Sequence, residues 1–229
     1  MIGDPPVLTI RSDFPRPDAS KVSALAGVQT GIIADACGGR AALSGVIKPI
    51  DENFEKFCGV AVTCHTGPAD NLAVFAALQI AQAGDVIVIA TDGFSGTAVI
   101  GDLVLGMAKN RGVVAVVTDG FVRDVEGIRQ VGLPCFAAGV TPDSPVRNGP
   151  GSAGLSINLG GRAVSSGDVI VGDLDGAVVV PLDQLDEVVA SLPEILKAEA
   201  ELDAEVKNGL ELPSFATELL ANDRLKRIE

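Results

Sequence analysis

The stretch GDLVLGMAKNRGVVAVVTDGFVRDVEGIR, Gly101 to Arg129, decides the fold. It reads as helix, strand, turn, helix. Asp102 opens the first helix, and Arg123 with Asp124 opens the second. Between them Val113 to Val117 is an apolar, β-branched run of the kind buried on both faces of a parallel sheet. A helix that returns to a parallel strand brings distant residues to the same end of the sheet. Asp102 and the Arg123-Asp124 pair are therefore expected in one crevice at the carboxyl ends of the strands. Two acids and one arginine at two helix starts could hold a hard metal ion and an anionic substrate together. The amides of Gly101, Asp102, Leu103 and Val104, at a helix start beside a glycine-rich loop, suit a carboxylate.

Working outward, the flanking segments repeat the pattern. Gly59 to Thr66 reads as a strand and Asp70 to Gln82 as a helix with Asp70 as its N-cap. Gly84-Asp85 turns into a strand from Val86 to Ala90, and the loop TDGFSGTAVIG follows. Gly132 ends the second helix of the central stretch, and Leu133 to Ala138 is another short strand. Alternating strands and helices imply right-handed crossovers and a largely parallel sheet. After Pro150 the texture changes to short strands at 155–159, 162–164, 169–171 and 177–180, separated by Gly160-Gly161, Ser166-Gly167 and Asp175-Gly176. Asp-Gly between apolar runs is a hairpin signal. The phrase GDVIV occurs twice, at Gly84 and at Gly167, each time as a tight turn feeding a buried strand.

Residues 1–18 carry four prolines and read as an extended arm, on the surface or on a neighbouring subunit. Residues 182–192 read as one short helix. Ser191 and Glu194 form a capping box for a second helix that runs to about Asn208, where Gly209 stops it. The seam Ile195, Ala198, Leu202, Val206 is narrow, and acids cover the rest. Such a helix docks readily on a neighbouring subunit. The expectation is one domain over 1–229, with an arm at 1–18, an α/β core at 19–181 and helices and tail at 182–229.

Composition narrows the function classes. With 30 acidic and 17 basic residues the net charge is −13, and Trp and Tyr are absent. Neither an acidic surface nor a chain poor in stacking aromatics suits a nucleic-acid ligand. No apolar run is long enough to span a membrane, and no basic, apolar leader is visible. Cys37, Cys58, Cys64 and Cys135 have no CxxC spacing and read as reduced thiols, so the expected compartment is the cytoplasm. An anionic substrate of so acidic a protein needs a local cationic trap, and Arg123 is the candidate.

Asp102, twenty intervening residues and then Arg123-Asp124 resembles the signature of the class II pyruvate aldolases. Those enzymes cleave 4-hydroxy-4-methyl-2-oxoglutarate and 4-carboxy-4-hydroxy-2-oxoadipate, and they belong to the family of the regulator of ribonuclease activity A. PADNLAVFAAL, AGDVIVIA, RGVVAVVTDGFVRD, GLPCFAAG and SGDVIVGDLDGAVVVP carry the similarity, from about Thr30 to Asn208. The resemblance implies a swivelling α/β/β sandwich with a parallel-rich half, an antiparallel β half and a C-terminal helical arm. It implies homotrimers or homohexamers with sites at subunit interfaces.

It also implies roles. Asp124 would ligate Mg2+ or Mn2+, with waters in most other positions. Asp102 would hold a water of the ion's shell and tune its proton affinity. The ion and Arg123 would bind the 2-oxo oxygen of a small anionic 2-oxo acid and stabilise the enolate left when the C3–C4 bond breaks. The same enolate forms when oxaloacetate loses CO2, so decarboxylase activity should accompany the aldolase. An acid from a neighbour's C-terminal helix would complete the site; Glu199 matches best, with Glu201 close by. Asn71, at a helix start facing the same sheet end, either touches the ligand or caps its turn. Lys109 lies late in its helix, away from the crevice, so a Schiff base is the weaker mechanism. His65, the single histidine, reads as a hydrogen-bonded packing residue. The alternative function is a non-catalytic regulator that binds a ribonuclease; that class lacks the carboxylate at the position of Asp102.

Overall fold

The computed structural model describes residues 6–54, 56–222 and 224–228. In chain order the elements are β1 (Leu8–Ile10), α1 (Ala19–Leu25), α2 (Thr30–Ala36), β2 (Lys48–Pro49), β3 (Phe57–Thr66), α3 (Leu72–Ile80) and β4 (Asp85–Ala90). Then come β5 (Ala98–Ile100), α4 (Asp102–Asn110), β6 (Ala115–Thr118), β7 (Phe121–Val122), α5 (Val125–Val131), β8 (Cys135–Ala137) and β9 (Gly139–Val140). The last third holds β10 (Gly151–Ala153), β11 (Ile157–Leu159), β12 (Arg162–Val164), β13 (Val169–Asp173), β14 (Gly176–Val180), α6 (Leu185–Lys207) and α7 (Ser214–Leu220).

Strands β3, β4, β6 and β8 run parallel and side by side, as the alternating pattern predicts. Every residue of β4 and β6 is buried. Side chains of β4 alternate between two cores. Ile87 and Ile89 face a layer built with α3, α4 and α5, while Val86 and Val88 face the β11–β12 hairpin. Helix layer, central sheet and β layer give the expected α/β/β sandwich. The antiparallel half is continuous with the parallel one through β3. That strand pairs with β13 over its first residues and with β10 over its last ones. A third core, between β13, β14, α1, α2 and the first half of α6, closes the fold.

The two GDVIV copies fold alike. In each the glycine is left-handed, φ 89° at Gly84 and 104° at Gly167. In each the aspartate accepts the N–H of the residue three before it, Gln82 to Asp85 at 2.7 Å and Ser165 to Asp168 at 2.8 Å. The copies flank β3, so that Val60 stands opposite Asp85 on one side and Val169 on the other.

Over its described residues the extended arm at 1–18 lies on the surface of this chain's own sheet. Leu8–Ile10 adds a parallel edge strand to β10, and Arg16 makes a bidentate ion pair with the buried Asp85 at 2.7 and 2.9 Å. The two C-terminal helices expected around Pro193 are one, α6, with the proline inside. Ser191 does not cap a new helix; its hydroxyl donates to the Val188 carbonyl at 2.9 Å. Leu185, Val188 and Leu192 anchor the first half of α6 on the core, and that packing outweighs the loss of one intrahelical bond at a proline. Among the described residues no helix is long and apolar enough to cross a membrane.

Candidate active site

The crevice is built by a small, three-stranded parallel sheet. Strands β5, β7 and β9 are parallel, two or three residues each, and sit in the connections after β4, β6 and β8. Their carboxyl ends deliver three short segments to one place: Gly101-Asp102, Arg123-Asp124, and the chain from Thr141 to Arg147. A cavity of about 230 Å³ lies between them, lined by Asn71, Ile100, Gly101, Asp102, Leu103, Val104, Arg123, Asp124, Ser144, Pro145 and Arg147. Every candidate residue of the central stretch is on that wall, as is Asn71. Glu199 is not. It lies exposed on the outer half of α6, which packs on α1 and α2 with its first turns. Glu201, the other candidate, pairs with Lys197 on the same helix at 3.7 Å.

Close approach of the segments depends on two glycines. A Cβ on Gly101 would overlap Asp124 Oδ2 and stand 3.1 Å from Arg123 Cγ. A Cβ on Gly127, in α5, would lie 2.6 Å from the Cβ of Asp102. Gly101 therefore lets β7 deliver its charged pair beside the start of α4, and Gly127 lets α5 lie against Asp102.

Asp124 has left-handed backbone, φ 61° and ψ 47°, which only a few per cent of non-glycine residues adopt. Its Oδ2 forms an ion pair with Arg123 Nε at 3.1 Å, and the two side chains are 43% and 35% exposed. Arg123 Nη1 also donates to Ser144 Oγ. Its guanidinium is thus held from two sides over the cavity. Asp102 turns back on its own helix, and its Oδ1 accepts the Leu103 amide at 2.7 Å. Of the four amides expected to face a carboxylate, that of Leu103 is therefore already engaged. A first-turn aspartate close to unpaired N–H groups competes for them.

Asn71 begins α3. Asp70 beside it accepts the Leu72 amide at 2.8 Å and the Asn148 and Gly149 amides of the loop that carries Arg147. Asn71 Nδ2 donates to the Val99 carbonyl of β5 at 3.0 Å. Its Oδ1 is buried with no hydrogen-bond partner among the described residues. An orphan acceptor of this kind costs about 1–3 kcal/mol, so it marks a place where a ligand or water belongs.

Ser144 and Arg147 join the wall without a signal in the sequence. They follow a two-residue strand and carry no periodic or motif pattern; only the loop composition, Thr-Pro-Asp-Ser-Pro, points to a fixed turn. Arg147 stacks over Phe75, 5.7 Å from the ring centroid, and has no acidic partner within salt-bridge distance among the described residues. Lys109 is where its position in the helix predicts, donating to the Val131 carbonyl at the end of α5 rather than lining the cavity. His65 departs from a core packing role. It is 40% exposed at the end of β3 and its Nε2 lies 2.9 Å from Asp92 Oδ2.

The donor set sets limits on a metal. Among the described residues no three His, Cys, Asp or Glu side chains gather as a metal cluster. A cage made wholly of protein ligands is not on offer. One or two carboxylates beside an open, wettable cavity do fit Mg2+ or Mn2+, which keep several waters. The four charged side chains on the wall, Asp102, Asp124, Arg123 and Arg147, sum to zero. A divalent ion would make the cavity cationic enough for a dianion.

Fold and cavity define an α/β/β protein with carboxylates and guanidiniums gathered at two helix starts. The chain belongs to the RraA-like family, whose model, described as Aldolase/RraA, matches residues 26–179. A Halalkalibacterium halodurans protein, provisionally named a 4-hydroxy-4-methyl-2-oxoglutarate aldolase, is 40% identical over 161 residues, covering 70% of this chain and 76% of that one. The crystal structure of Streptomyces coelicolor RraAS2, described as an unusual member of the RNase ES inhibitor RraA protein family, is similar with a TM-score of 0.73 and 30% identity. That match covers 83% of this chain and all of the other. The RNA-processing inhibitor RraA from Thermus thermophilis is similar with a TM-score of 0.61 and 28% identity, over 67% of this chain and 93% of the other.

Proposed function

We propose that the protein is a divalent-metal-dependent lyase that cleaves the C3–C4 bond of 4-hydroxy-2-oxo acids, of the 4-hydroxy-4-methyl-2-oxoglutarate type, to pyruvate and a second keto acid. The observation that carries this reading is the convergence of Asp102, Arg123 and Asp124 on one small cavity at the start of α4. The name of the 40% identical relative supports the same reaction class.

In this reading Asp124 would hold Mg2+ or Mn2+, and Asp102 would hold a water of its shell. The ion, when bound, supplies positive charge at the substrate's 2-oxo oxygen. Arg123, fixed by Asp124 and Ser144, aims its guanidinium at the same oxygen. As the C3–C4 bond breaks, its electron pair moves into the C2–C3 bond and negative charge grows on that oxygen. A donor already in place stabilises this charge without rearrangement. The 4-hydroxyl gives up its proton as C4 becomes a carbonyl, and C3 of the enolate takes up a proton to give pyruvate. Oxaloacetate decarboxylation passes through the same enolate and is expected as a side activity. Arg147, on the same cavity and without an acidic partner among the described residues, suits a second carboxylate.

The protein is proposed to act as a homotrimer or homohexamer. The outer half of α6 and α7 expose Leu202, Val206, Phe215 and Leu219, a face suited to a second copy. Such docking would bring Glu199 of one copy towards the cavity of another. The test is a coupled pyruvate assay over a panel of 4-hydroxy-2-oxo acids and oxaloacetate, with Mg2+ or Mn2+ and with EDTA. Metal-dependent pyruvate release is expected. No release from any of them would favour the other reading, a regulator that binds a ribonuclease, to which the likeness to the two RraA structures points.

A further inference from the structure

We propose that Asp119 is a positioning residue for the two carboxylates of the candidate site. Its side chain fixes the offset between the segment that carries Asp102 and the segment that carries Asp124, a role that rests on the lyase reading above.

The tetrapeptide TDGF occurs twice, at 91–94 directly after β4 and at 118–121 across the turn from β6 to β7. Each copy leads into a strand of the small sheet. The first leads to β5 and Asp102, the second to β7 and Arg123-Asp124. Those two strands set their own offset poorly. Two residue pairs join them, Ala98 with Phe121 and Ile100 with Val122, and the register shifts between Ala98 and Ile100. Every residue of β5 is buried, so no alternation of inward and outward side chains holds it in register.

Asp119 supplies what this ladder lacks. It stands in the second copy and accepts from the first. The Thr91 amide and hydroxyl donate to its Oδ1 at 2.7 and 3.1 Å, and the Gly93 amide donates to its Oδ2 at 3.2 Å. Both carboxylate oxygens are thus turned on the loop that runs from β4 to β5, and bonds to an ionised acceptor are the strong ones. Gly120 beside it keeps the copies close, because a Cβ there would lie 2.7 Å from Thr91 Cγ2. The Thr118 hydroxyl adds a buried bond to the Ile89 carbonyl at 2.9 Å. Asp92, the counterpart of Asp119 in the first copy, is exposed and pairs with His65 instead. The carboxylate tie therefore runs from the chain that delivers Asp124 to the chain that delivers Asp102. Asp119 does not line the cavity, so its effect on a bound ion passes through Asp102.

Asp119→Asn keeps the shape but replaces one acceptor oxygen by a donor, so at least one backbone N–H loses its partner. Mn2+ binding to the whole chain, without substrate, is read from the EPR signal of free Mn2+. Loss of a residue that orients an ion's shell costs about 10–100-fold in affinity, and Asp119→Asn is expected to raise the Mn2+ dissociation constant at least about 5-fold. With Mn2+ saturating, kcat for pyruvate release should fall at least about 10-fold. In a protein already carrying Asp102→Asn, the same change should raise the constant less than about 2-fold, because the carboxylate it places is gone. A role in stability alone gives no such coupling. Unchanged Mn2+ affinity in Asp119→Asn, or equal factors in the two backgrounds, would overturn the proposal. Thr91→Val keeps the volume and removes one of the three bonds, so it reads the same tie in a milder form. It should weaken Mn2+ binding by about 2–3-fold in the parent and not in the Asp102→Asn protein; equal affinities for Thr91→Val and the parent would also count against the tie. Mn2+ binding without pyruvate release in the unmodified protein would remove the lyase reading, while the coupling still decides the role of Asp119. No Mn2+ binding at all would remove both.

Discussion

Asp124 carries two burdens that a residue chosen for stability alone would not carry. Its backbone is left-handed, where glycine is at ease and other residues cost of order 1–3 kcal/mol, with aspartate among the better tolerated. Its carboxylate is held half-exposed against Arg123, and exposed pairs are worth only about 0–1 kcal/mol. Asp124→Gly should therefore abolish EDTA-sensitive pyruvate release while leaving the unfolding free energy unchanged or raised by up to about 1 kcal/mol. Urea titration beside the pyruvate assay separates the two effects, and a clear loss of stability would mean that the carboxylate is structural. Arg123→Ala should cut kcat by about 10²–10³, as loss of one preorganised donor does elsewhere; an unchanged rate would remove Arg123 from the site. Gly101→Ala tests the close approach itself. The backbone of Gly101 is extended and strain-free, φ −136° and ψ −168°, so only crowding opposes a methyl group. The expected outcome is loss of turnover with a thermal midpoint within a few degrees of the parent.

At the scale of elements, the N-terminal strap is where packing decides more than pattern. Arg16 reaches Asp85, which is 1% exposed and also accepts the Gln82 amide. Truncating one partner of such a pair leaves a buried charge unanswered. Arg16→Ala is therefore expected to destabilise the protein by about 3 kcal/mol, read as a lower urea midpoint at constant m-value. A change below about 0.5 kcal/mol would mean that the strap is incidental. Neither the strap nor the small sheet is legible in the sequence, for one reason. A three-residue strand such as Leu8–Ile10 or Ala98–Ile100 has too few side chains to show a period of two. The long, β-branched runs of β4 and β6 and the helix starts at Asp102 and Arg123-Asp124 are legible because local pattern and burial agree there. Pro193 misleads for the opposite reason: a local breaker stands where Val188 and Leu192, packed on the core, keep the helix whole.

For the whole molecule, the same division between local and assembled information governs its response to pH. The chain has no tyrosine, so the thiols are prominent among the groups that titrate above about pH 8. Cys58 and Cys135 are pushed up to about 12 by burial, and Cys64 is raised further by the same cause. Cys37, half-buried just after α2, is also raised by burial. In the unfolded chain each thiol ionises near its ordinary value; in the native protein Cys58, Cys64 and Cys135 keep their protons. Between those two limits the native state binds more protons than the unfolded one. The stability contributed by the protonated thiols is thus complete below about pH 8.5 and is lost as the pH climbs towards 12, by up to about 1.4 kcal/mol per pH unit for each thiol. Urea unfolding followed from about pH 8 to about pH 10.5 should show a falling midpoint. Cys64→Ala with Cys135→Ala should start lower, because it opens cavities, and then fall less steeply. Parallel curves for the two proteins would show that the buried thiols do not control alkaline unfolding and that another group carries the linkage.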